Sequence, residues 1–484
     1  MNQETKNLEQ SEIPVYRKIS LLGERVNSMI NVYNMSTPGY HDILTAISNE
    51  VRNETGSDLA ILEFLNGMRI CIVSNSDFAD TVFRDAERVK KGRFFIPIMA
   101  STTAAPVEGE DVVDTISLLT AETSPEYLDR KMKVAVLLSG NKLKDYAPIT
   151  TEITNEVLEG SEEAIDLVEK FDLITLRLVL ETFLGTKLSP EEDERIAEYF
   201  RLASKYNVLN YFMGKRPAEL LGQGAKFRRE ELFFTETIVP IIIRRIDELN
   251  TDKTIRNSSM LDSLIIDGES KQQIETDIRT FLLAGQETTA SVMSSVMYEL
   301  FENPEVFDKL IEEILSIADG KNAITFENTS KLSYLDKVIN ETLRREPPTH
   351  LVPRETKKDL LLGDQIVPAN TILFVNVRGM GMDKRYWENP EKFDPDRQEY
   401  NTVGEPAGYF PWGARKGSKI PKDINRRCIG ENFARMSMKN ILSNMILRFY
   451  IDLIKAGDIS SGVVPTRPSE LIIQLRERRK SASE

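Results

Sequence analysis

The sequence predicts a mainly helical α+β fold in which small β-sheets accompany a large helical body. Helical periodicity dominates the stretch from about residue 125 to residue 345. Two apolar runs joined by Asn66-Gly67 predict a β-hairpin within Leu59–Val73. No internal repeat and no linker interrupts the pattern, so we expect residues 13–484 to form a single domain and the polar residues 1–12 to be disordered.

The composition of the 484-residue chain is that of a globular protein, with 41% hydrophobic and 29% charged residues. A net charge of −14 argues against non-specific binding to nucleic acid, which needs a basic surface. No apolar stretch is long enough for a signal peptide or a membrane span, so we expect a cytoplasmic protein with no membrane partner and favour a bacterial source. Two cysteines and two histidines exclude a disulfide framework, a zinc site and a His-based triad.

A long helix is predicted for Lys271–Asn303, because the segment contains no proline and Pro304 follows it. Gly285 lies midway along this helix, where a glycine costs about 1 kcal/mol relative to alanine. Two explanations stay open at this point. The glycine permits either the close approach of a ligand to the backbone or an ordinary seam of small packed residues.

The residues around this glycine read Ala284-Gly285-Gln286-Glu287-Thr288-Thr289. The Thr288 hydroxyl can bond the carbonyl of Ala284, four residues earlier, and so bend the helix. The resulting groove could seat dioxygen and a water molecule, with Glu287 beside it as a proton carrier. The alternative is a packing seam with a solvated glutamate.

The last third of the chain changes character after Pro347-Pro348. Residues 359–377 alternate like strands about a turn at Gly363-Asp364, and a coil rich in proline and glycine follows from about 379 to 425. We then expect a helix from about Cys428 to Tyr450 and a final hairpin within residues 462–475.

Cys428 follows two arginines and stands at the start of that predicted helix. A helix N-terminus and neighbouring arginines both stabilise a thiolate, which can ligate haem iron and favour O–O cleavage. Gly430 would let the chain turn tightly past a porphyrin. Taken alone, the cysteine fits better with an ordinary free thiol at the start of a helix.

Glu341 and Arg344 lie three residues apart on a predicted helix, so their side chains share one face. Such a pair is common and weak on a surface, whereas a buried pair with a further arginine forms a specific clamp. Arg397, in the segment FDPDR, is the candidate for the third member.

Together these motifs resemble those of the cytochrome P450 family, and they occur in the family's order. The sequence contains AGQETT in the long helix, then ETLR, VPRET and FDPDR, and finally FPWG followed by RRCIG. The resemblance extends over nearly the whole chain. It implies a mainly α, single-domain fold whose long central helix crosses a bound haem b.

The resemblance also implies roles for individual residues. Cys428 would be the iron ligand, Glu287 and Thr288 would handle protons during oxygen activation, and Glu341, Arg344 and Arg397 would fix the fold around the cysteine loop. Arg426 and Arg354 would bind the haem propionates, and Phe410 would lie near the sulfur. Lys131 would also bind a propionate, since Tyr127 with Lys131, beside Arg130, is the nearest match to a propionate-binding motif. The other positions implied as cofactor-binding are Ala284, Gly285 and Gly430.

The chain departs from the family pattern between Gly413 and Arg426, where twelve residues replace the usual single residue. Residues 414–427 contain six Arg or Lys and only one Asp. We hypothesise that this basic segment docks an acidic ferredoxin or flavodoxin as electron donor; the alternative is a solvated basic loop. No flavin or nicotinamide fingerprint is present, so electrons would come from a separate protein unless peroxide is used.

The expected reaction is insertion of one atom of dioxygen into a small, largely apolar molecule by hydroxylation or epoxidation. Alternatives are oxidative coupling or peroxide-driven oxidation on the same fold and, more remotely, a non-enzymatic helical binding protein. The substrate-pocket residues implied by the resemblance are Phe94, Phe95, Ile98, Leu283, Leu351 and Val463.

Overall fold

The computed structural model describes residues 13–15, 40–63, 69–92, 117–160, 163–213, 223–252, 259–320, 323–401, 404–416, 426–461 and 465–478. The chain divides into two compact units. The first unit comprises Met1–Pro97, Thr349–Glu391 and Gln398–Arg427, and the second comprises Ile98–Pro348, Lys392–Arg397 and Cys428–Glu484. The expectation of a single domain stays a prediction.

The helices, in chain order, are α1 (Tyr40–Thr55), α2 (Ser76–Arg84), α3 (Pro125–Leu137), α4 (Lys142–Leu158), α5 (Leu167–Val179), α6 (Pro190–Met213), α7 (Gln223–Thr251), α8 (Met260–Ile266), α9 (Lys271–Glu302), α10 (Pro304–Ala318), α11 (Phe326–Thr329), α12 (Ser333–Arg345), α13 (Val377–Gly381) and α14 (Glu431–Arg448). A π-helical turn over Leu180–Leu184 extends α5, and a 3₁₀ turn covers Gln398–Asn401.

The strands are β1 (Leu59–Glu63), β2 (Arg69–Val73), β3 (Val89–Lys90), β4 (Ile165–Asp166), β5 (Leu351–Thr356), β6 (Leu360–Leu362), β7 (Gln365–Val367), β8 (Ile372–Asn376), β9 (Phe449–Ala456), β10 (Ile459–Ser461), β11 (Thr466–Pro468) and β12 (Leu471–Glu477). Helices thus predominate over small sheets, which confirms the predicted fold class.

The first unit is built on a five-stranded sheet with the order β1-β2-β8-β5-β3. The predicted hairpin within Leu59–Val73 is confirmed, since β1 and β2 pair antiparallel with Ile61 opposite Cys71. The predicted turn at Gly363 is also confirmed: its φ of +63° suits glycine, and it joins β6 to β7. Cys71 is fully buried in the apolar core of this unit, as a small hydrophobic residue would be.

The second unit is organised around α9, which runs for 32 residues. The Ser270 side chain caps its first turn, and Pro304 both prevents its continuation and occupies the first turn of α10. Helices α5, α12 and α14 and strand β11 pack against α9. Nearly every residue of α9 from Gln273 to Leu300 is therefore buried.

The prediction of a final hairpin is wrong in its pairing. β11 pairs with β10, whereas β12 lies between β4 and β9 in a separate three-stranded sheet. The two strands were placed correctly along the chain, but each finds its partner in another part of the unit. No helix in the described ranges is long and apolar enough to cross a membrane.

Candidate active site

The middle of α9 carries a short accessible strip on an otherwise buried helix. Between Gln273 and Met297, only Ala284, Gly285 and Thr288 are partly exposed. The Thr288 hydroxyl donates a hydrogen bond to the carbonyl of Ala284, with 2.7 Å between the two oxygens. Glu287 precedes this threonine and is 8% exposed. The helix therefore presents one small open surface that includes the Thr288 hydroxyl, and the nearly buried Glu287 is the preceding residue in the chain.

Packing within the unit explains the glycine of this strip. A Cβ built on Gly285 would lie 2.9 Å from Cγ1 of Val179 in α5, closer than real side chains approach. It would also lie 3.7 Å from the ring of Phe183 in the π-helical turn. This observation supports the packing-seam explanation of Gly285, because the missing side chain faces α5.

Cys428 is exposed and stands two residues before Gly430, the N-cap of α14. A Cβ on Gly430 would be 3.8 Å from the cysteine sulfur, so the thiol lies beside the N-terminus of the helix. No side chain caps this helix end, whose backbone N–H groups favour negative charge. The thiol is thus accessible and lies beside a helix end that carries partial positive charge.

Glu341, Arg344 and Arg397 meet in a fully buried cluster. Nε of Arg344 donates to Oε2 of Glu341 over 2.8 Å, and Nε of Arg397 donates to Oε1 over 2.7 Å. The backbone N–H of Asp394 also donates to Oε1, over 3.0 Å. One carboxylate therefore joins α12 to the loop that contains Arg397, with every charge paired inside the second unit.

In the first unit, aromatic rings and guanidinium groups form a stack around Phe410. The ring centroids of Phe410 and Phe83 are 5.8 Å apart, and the guanidinium of Arg354 lies 5.2 Å from the centroid of Phe83. The guanidinium of Arg415 lies 5.4 Å from the centroid of Phe410 and pairs with Asp80. Phe83 was not predicted from the sequence, since no local motif distinguishes it from an ordinary apolar helix residue.

The described ends of the inserted segment lie close together. A Cβ on Gly413 would be 3.4 Å from the carbonyl oxygen of Arg426, and the φ of Gly413 is +82°. Arg427 donates to the carbonyl of Ala414 over 2.7 Å and pairs with Glu405 over 2.6 Å. The described residues on either side of the insertion therefore lie next to each other.

In α3, the helix expected to contact a haem propionate, the arginine forms ion pairs with carboxylates of the protein instead. Arg130 in α3 is 5% exposed and pairs with Asp277 of α9 and with Glu269. Lys131 is partly exposed. Of the two neighbours, Lys131 therefore remains the candidate for this contact.

Comparison with known proteins agrees with this geometry. The family model for cytochrome P450 matches residues 30–467.

The chain belongs to the cytochrome P450 family.

Its relatives in this family come from plants and animals. The chain is 27% identical to cytochrome P450 93A2 of Glycine max over 63% of this chain and 67% of that protein. It is 27% identical to the 3,9-dihydroxypterocarpan 6A-monooxygenase of the same plant, over 59% of this chain and 62% of that protein. Cytochrome P450 71A1 of Persea americana is 26% identical over 84% of this chain and 82% of its own length.

The crystal structure of the cytochrome P450DA heme domain superposes with a TM-score of 0.79 over 97% of this chain and 99% of that chain, at 15% identity. This similarity establishes the cytochrome P450 fold. Family membership makes the chain an oxidoreductase with haem as its cofactor. The alternative of a non-enzymatic helical binding protein is therefore wrong.

Several predicted positions lie outside the described residues: Phe94, Phe95, Ile98 and Val463 of the substrate pocket, and residues 417–425 of the basic segment. Leu283 in α9 and Leu351 in β5 are described and are each 7% exposed. Within the described residues, no group of three His, Cys, Asp or Glu side chains could hold a metal ion.

Proposed function

We propose that the chain is a haem-thiolate monooxygenase that inserts one atom of dioxygen into a small, largely apolar molecule. The observation that carries this proposal is the accessible thiol of Cys428 at the N-terminus of α14. The open strip on α9, which includes the Thr288 hydroxyl and adjoins Glu287 in the chain, supports it further. Some relatives in the family are named as monooxygenases, which agrees with this reaction type.

When bound, the haem supplies the iron that binds dioxygen and performs the oxidation. The thiolate of Cys428 would hold that iron, with Gly430 leaving room for the sulfur. Arg354 and Arg426 would pair with the propionates, together with Lys131. Phe410 would shield the sulfur from water, a role that suits its buried position in the aromatic stack.

Two residues of α9 would move the protons that oxygen activation consumes. Glu287 would take a proton from solvent at its carboxylate and pass it towards the Thr288 hydroxyl. That hydroxyl already donates to the Ala284 carbonyl, so its lone pairs are free to accept the next hydrogen bond. Ala284 and Gly285 would contribute a surface without bulky side chains.

The buried apolar side chains of Leu283 and Leu351 favour an apolar substrate. Electrons would arrive from a separate protein, for which we retain an acidic ferredoxin or flavodoxin. The intact Glu287-Thr288 pair favours oxygen over peroxide as oxidant, because a peroxide-driven reaction does not need the proton relay.

The test is the absorption spectrum of the purified protein, reduced with dithionite and exposed to carbon monoxide. A strongly red-shifted Soret band is expected for the native protein and for the variant Cys71→Ala, which removes the only other cysteine. Cys428→His should move the band to the position typical of histidine ligation. A native protein without haem absorbance, or a red-shifted band that persists in Cys428→His, would disprove the proposal.

A further inference from the structure

A small cavity is lined by residues of α4, of α6 and of the π-helical turn that extends α5. Its volume is about 100 Å³, which leaves room for several water molecules. Glu181 of the π-helical turn and Asp193 in the first turn of α6 both line this cavity. Short π-helical turns within helices occur frequently at functional sites. Two acidic side chains from separate elements therefore border one small space.

Asp193 is 1% exposed, and its two carboxylate oxygens differ in their contacts. Oδ2 accepts a hydrogen bond from Nε of Arg177 over 2.8 Å. Oδ1 is buried and accepts no hydrogen bond from any described residue. Burial raises the pKa of Asp193 although Arg177 opposes the shift. A buried carboxylate oxygen without a donor is costly, so this position favours a ligand that compensates its charge.

Glu181 is also poorly compensated by the cations of the chain. The closest is Lys187, whose Nζ lies 3.8 Å from Oε1 of Glu181, beyond hydrogen-bond distance. Lys187 donates its hydrogen bonds to Glu152 over 3.1 Å and to Glu156 over 3.2 Å. Burial raises the pKa of Glu181 to about 7; Lys187 opposes this shift, and Glu156 and Glu152 add to it.

The charges around the cavity leave an excess of negative charge. Among the described residues, only Lys187 and Arg177 form ion pairs with the four carboxylates of this cluster, which belong to Glu152, Glu156, Glu181 and Asp193. Two negative charges therefore remain when all six side chains are ionised. Carboxylates held close together resist joint ionisation unless a cation compensates them.

The number of carboxylates at the cavity restricts the kind of cation. In the parts of the chain that the structure describes, no three His, Cys, Asp or Glu side chains could together hold a metal ion. This argues against zinc and against a calcium ion held mainly by side chains. Mg²⁺ differs, because it keeps several of its waters and is bound through only one or two carboxylates.

We propose that Glu181 and Asp193 bind a divalent cation of the Mg²⁺ class, which keeps part of its hydration shell in this cavity. The ion compensates Oδ1 of Asp193 and the negative charge of Glu181, while Arg177 and Lys187 keep their present hydrogen bonds. It also links the π-helical turn to the first turn of α6. The site does not depend on the proposed monooxygenase function.

The experiment uses Mn²⁺ as the probe, because Mn²⁺ occupies sites of carboxylate and water oxygens like those of Mg²⁺. The holoenzyme is titrated with Mn²⁺ above the pKa of Glu181, and the electron paramagnetic resonance signal of free Mn²⁺ reports how much is bound. We expect a saturable site from which Mg²⁺ displaces Mn²⁺. Mg²⁺ should also raise the melting temperature of the native protein more than KCl does at equal ionic strength.

Glu181→Gln and Asp193→Asn should each weaken Mn²⁺ binding at this site at least about tenfold, since even groups outside the ligand shell contribute that much to metal affinity. The rise in melting temperature with Mg²⁺ should disappear with the binding. Glu191→Gln is the matched control, because it also removes a carboxylate from the first turn of α6, at an exposed residue that does not line the cavity. Its Mn²⁺ affinity should equal that of the native protein.

A Mn²⁺ titration without a saturable site would overturn the proposal. Equal weakening in Glu191→Gln and Glu181→Gln would overturn it as well, because it would show general attraction of cations to an acidic surface. The same holds if KCl raises the melting temperature as much as Mg²⁺ does. If Asp193→Asn does not fold once Arg177 loses its counter-charge, Glu181→Gln decides: binding at least about tenfold weaker supports the site, and unchanged binding contradicts it.

Discussion

At the scale of single residues, two adjacent threonines of α9 differ in what their side chains can reach. Thr288 is partly exposed on the open strip, whereas Thr289 is 4% exposed. Thr288→Ala should therefore lower the product formed per electron by about tenfold, within the range that positioned proton-transfer groups contribute. Oxygen consumption and haem content should change little. Product analysis with the consumption of electrons and oxygen during turnover measures the first two quantities, and the absorption spectrum measures the haem content.

Thr288→Ser and Thr289→Ala are the matched controls for this prediction. The serine variant keeps the hydroxyl and should keep most of the coupling, whereas Thr289→Ala removes a hydroxyl that lies off the strip. Equal uncoupling in Thr288→Ala and Thr289→Ala would show that helix packing, and not the hydroxyl of Thr288, determines the yield.

The buried cluster of Glu341, Arg344 and Arg397 gives a second prediction at the scale of single residues. Glu341 is fully buried beneath two guanidinium groups, so Glu341→Gln leaves both short of their counter-charge. We expect a loss of about 3–5 kcal/mol in the free energy of unfolding, as for other broken buried ion pairs. Chemical denaturation of the holoenzyme, followed by circular dichroism, measures the loss.

Asp396 provides the control, since it lies beside Arg397 in the chain but forms its ion pairs with Lys309 and Lys337 at the surface. Asp396→Asn should cost less than about 1 kcal/mol. If both variants lost the same free energy of unfolding, the cluster around Glu341 would stabilise the fold no more than a surface ion pair does.

These residues also show what a sequence can predict. Glu341 and Arg344 share one helix face, and three residues of spacing suffice to bring them together. Arg397, in the segment FDPDR, was the candidate for the third member, and the family resemblance implied the same role. Phe83 has no such signature, because its partner, Arg354, lies 271 residues away along the chain.

At the scale of an element, helix propensity and packing have opposite effects on the choice of residue at Gly285 of α9. Alanine is intrinsically better than glycine in a helix by about 1 kcal/mol. The Cβ of Gly285→Ala would nevertheless press on Val179, and overpacking of this kind costs about 1–3 kcal/mol. We expect Gly285→Ala to lower the melting temperature, which calorimetry of the holoenzyme measures.

The double variant Val179→Ala, Gly285→Ala tests the cause. Removing the two methyl groups of Val179 makes room for the new Cβ, so Gly285→Ala should be less harmful, or even stabilising, in that background. If Gly285→Ala were as harmful with Val179→Ala as without it, the glycine would be needed for some contact other than α5.

Element boundaries were predicted well where the signals are local. Lys271 and Pro304 bracket α9 as expected, and the Gly363 turn separates β6 from β7. Strand partners were predicted correctly in the two local hairpins but not elsewhere, because other pairings depend on segments distant in sequence. β2 pairs in parallel with β8, about 300 residues later, and β12 pairs with β9 instead of its neighbour β11.

At the scale of the whole molecule, a net charge of −14 contrasts with the basic segment 414–427. Part of this positive charge is already neutralised, since Arg415 pairs with Asp80 and Arg427 with Glu405. The docking test uses Lys419 and Lys422, two further basic residues of the segment, which lie outside the described residues. An acidic electron donor would be attracted by these lysines in an otherwise strongly acidic chain, so their charge would direct its approach.

We expect Lys419→Glu together with Lys422→Glu to slow reduction by an acidic ferredoxin at least about tenfold at low ionic strength, the lower end of electrostatic steering effects. Added salt should slow the native protein towards the rate of the variant, because screening removes the same attraction. Stopped-flow reduction at several salt concentrations measures this. Lys331→Glu with Lys384→Glu, at two exposed lysines elsewhere, changes the net charge equally and should have little effect. Equal slowing in both double variants, or a rate independent of salt, would show that the basic segment is a solvated loop.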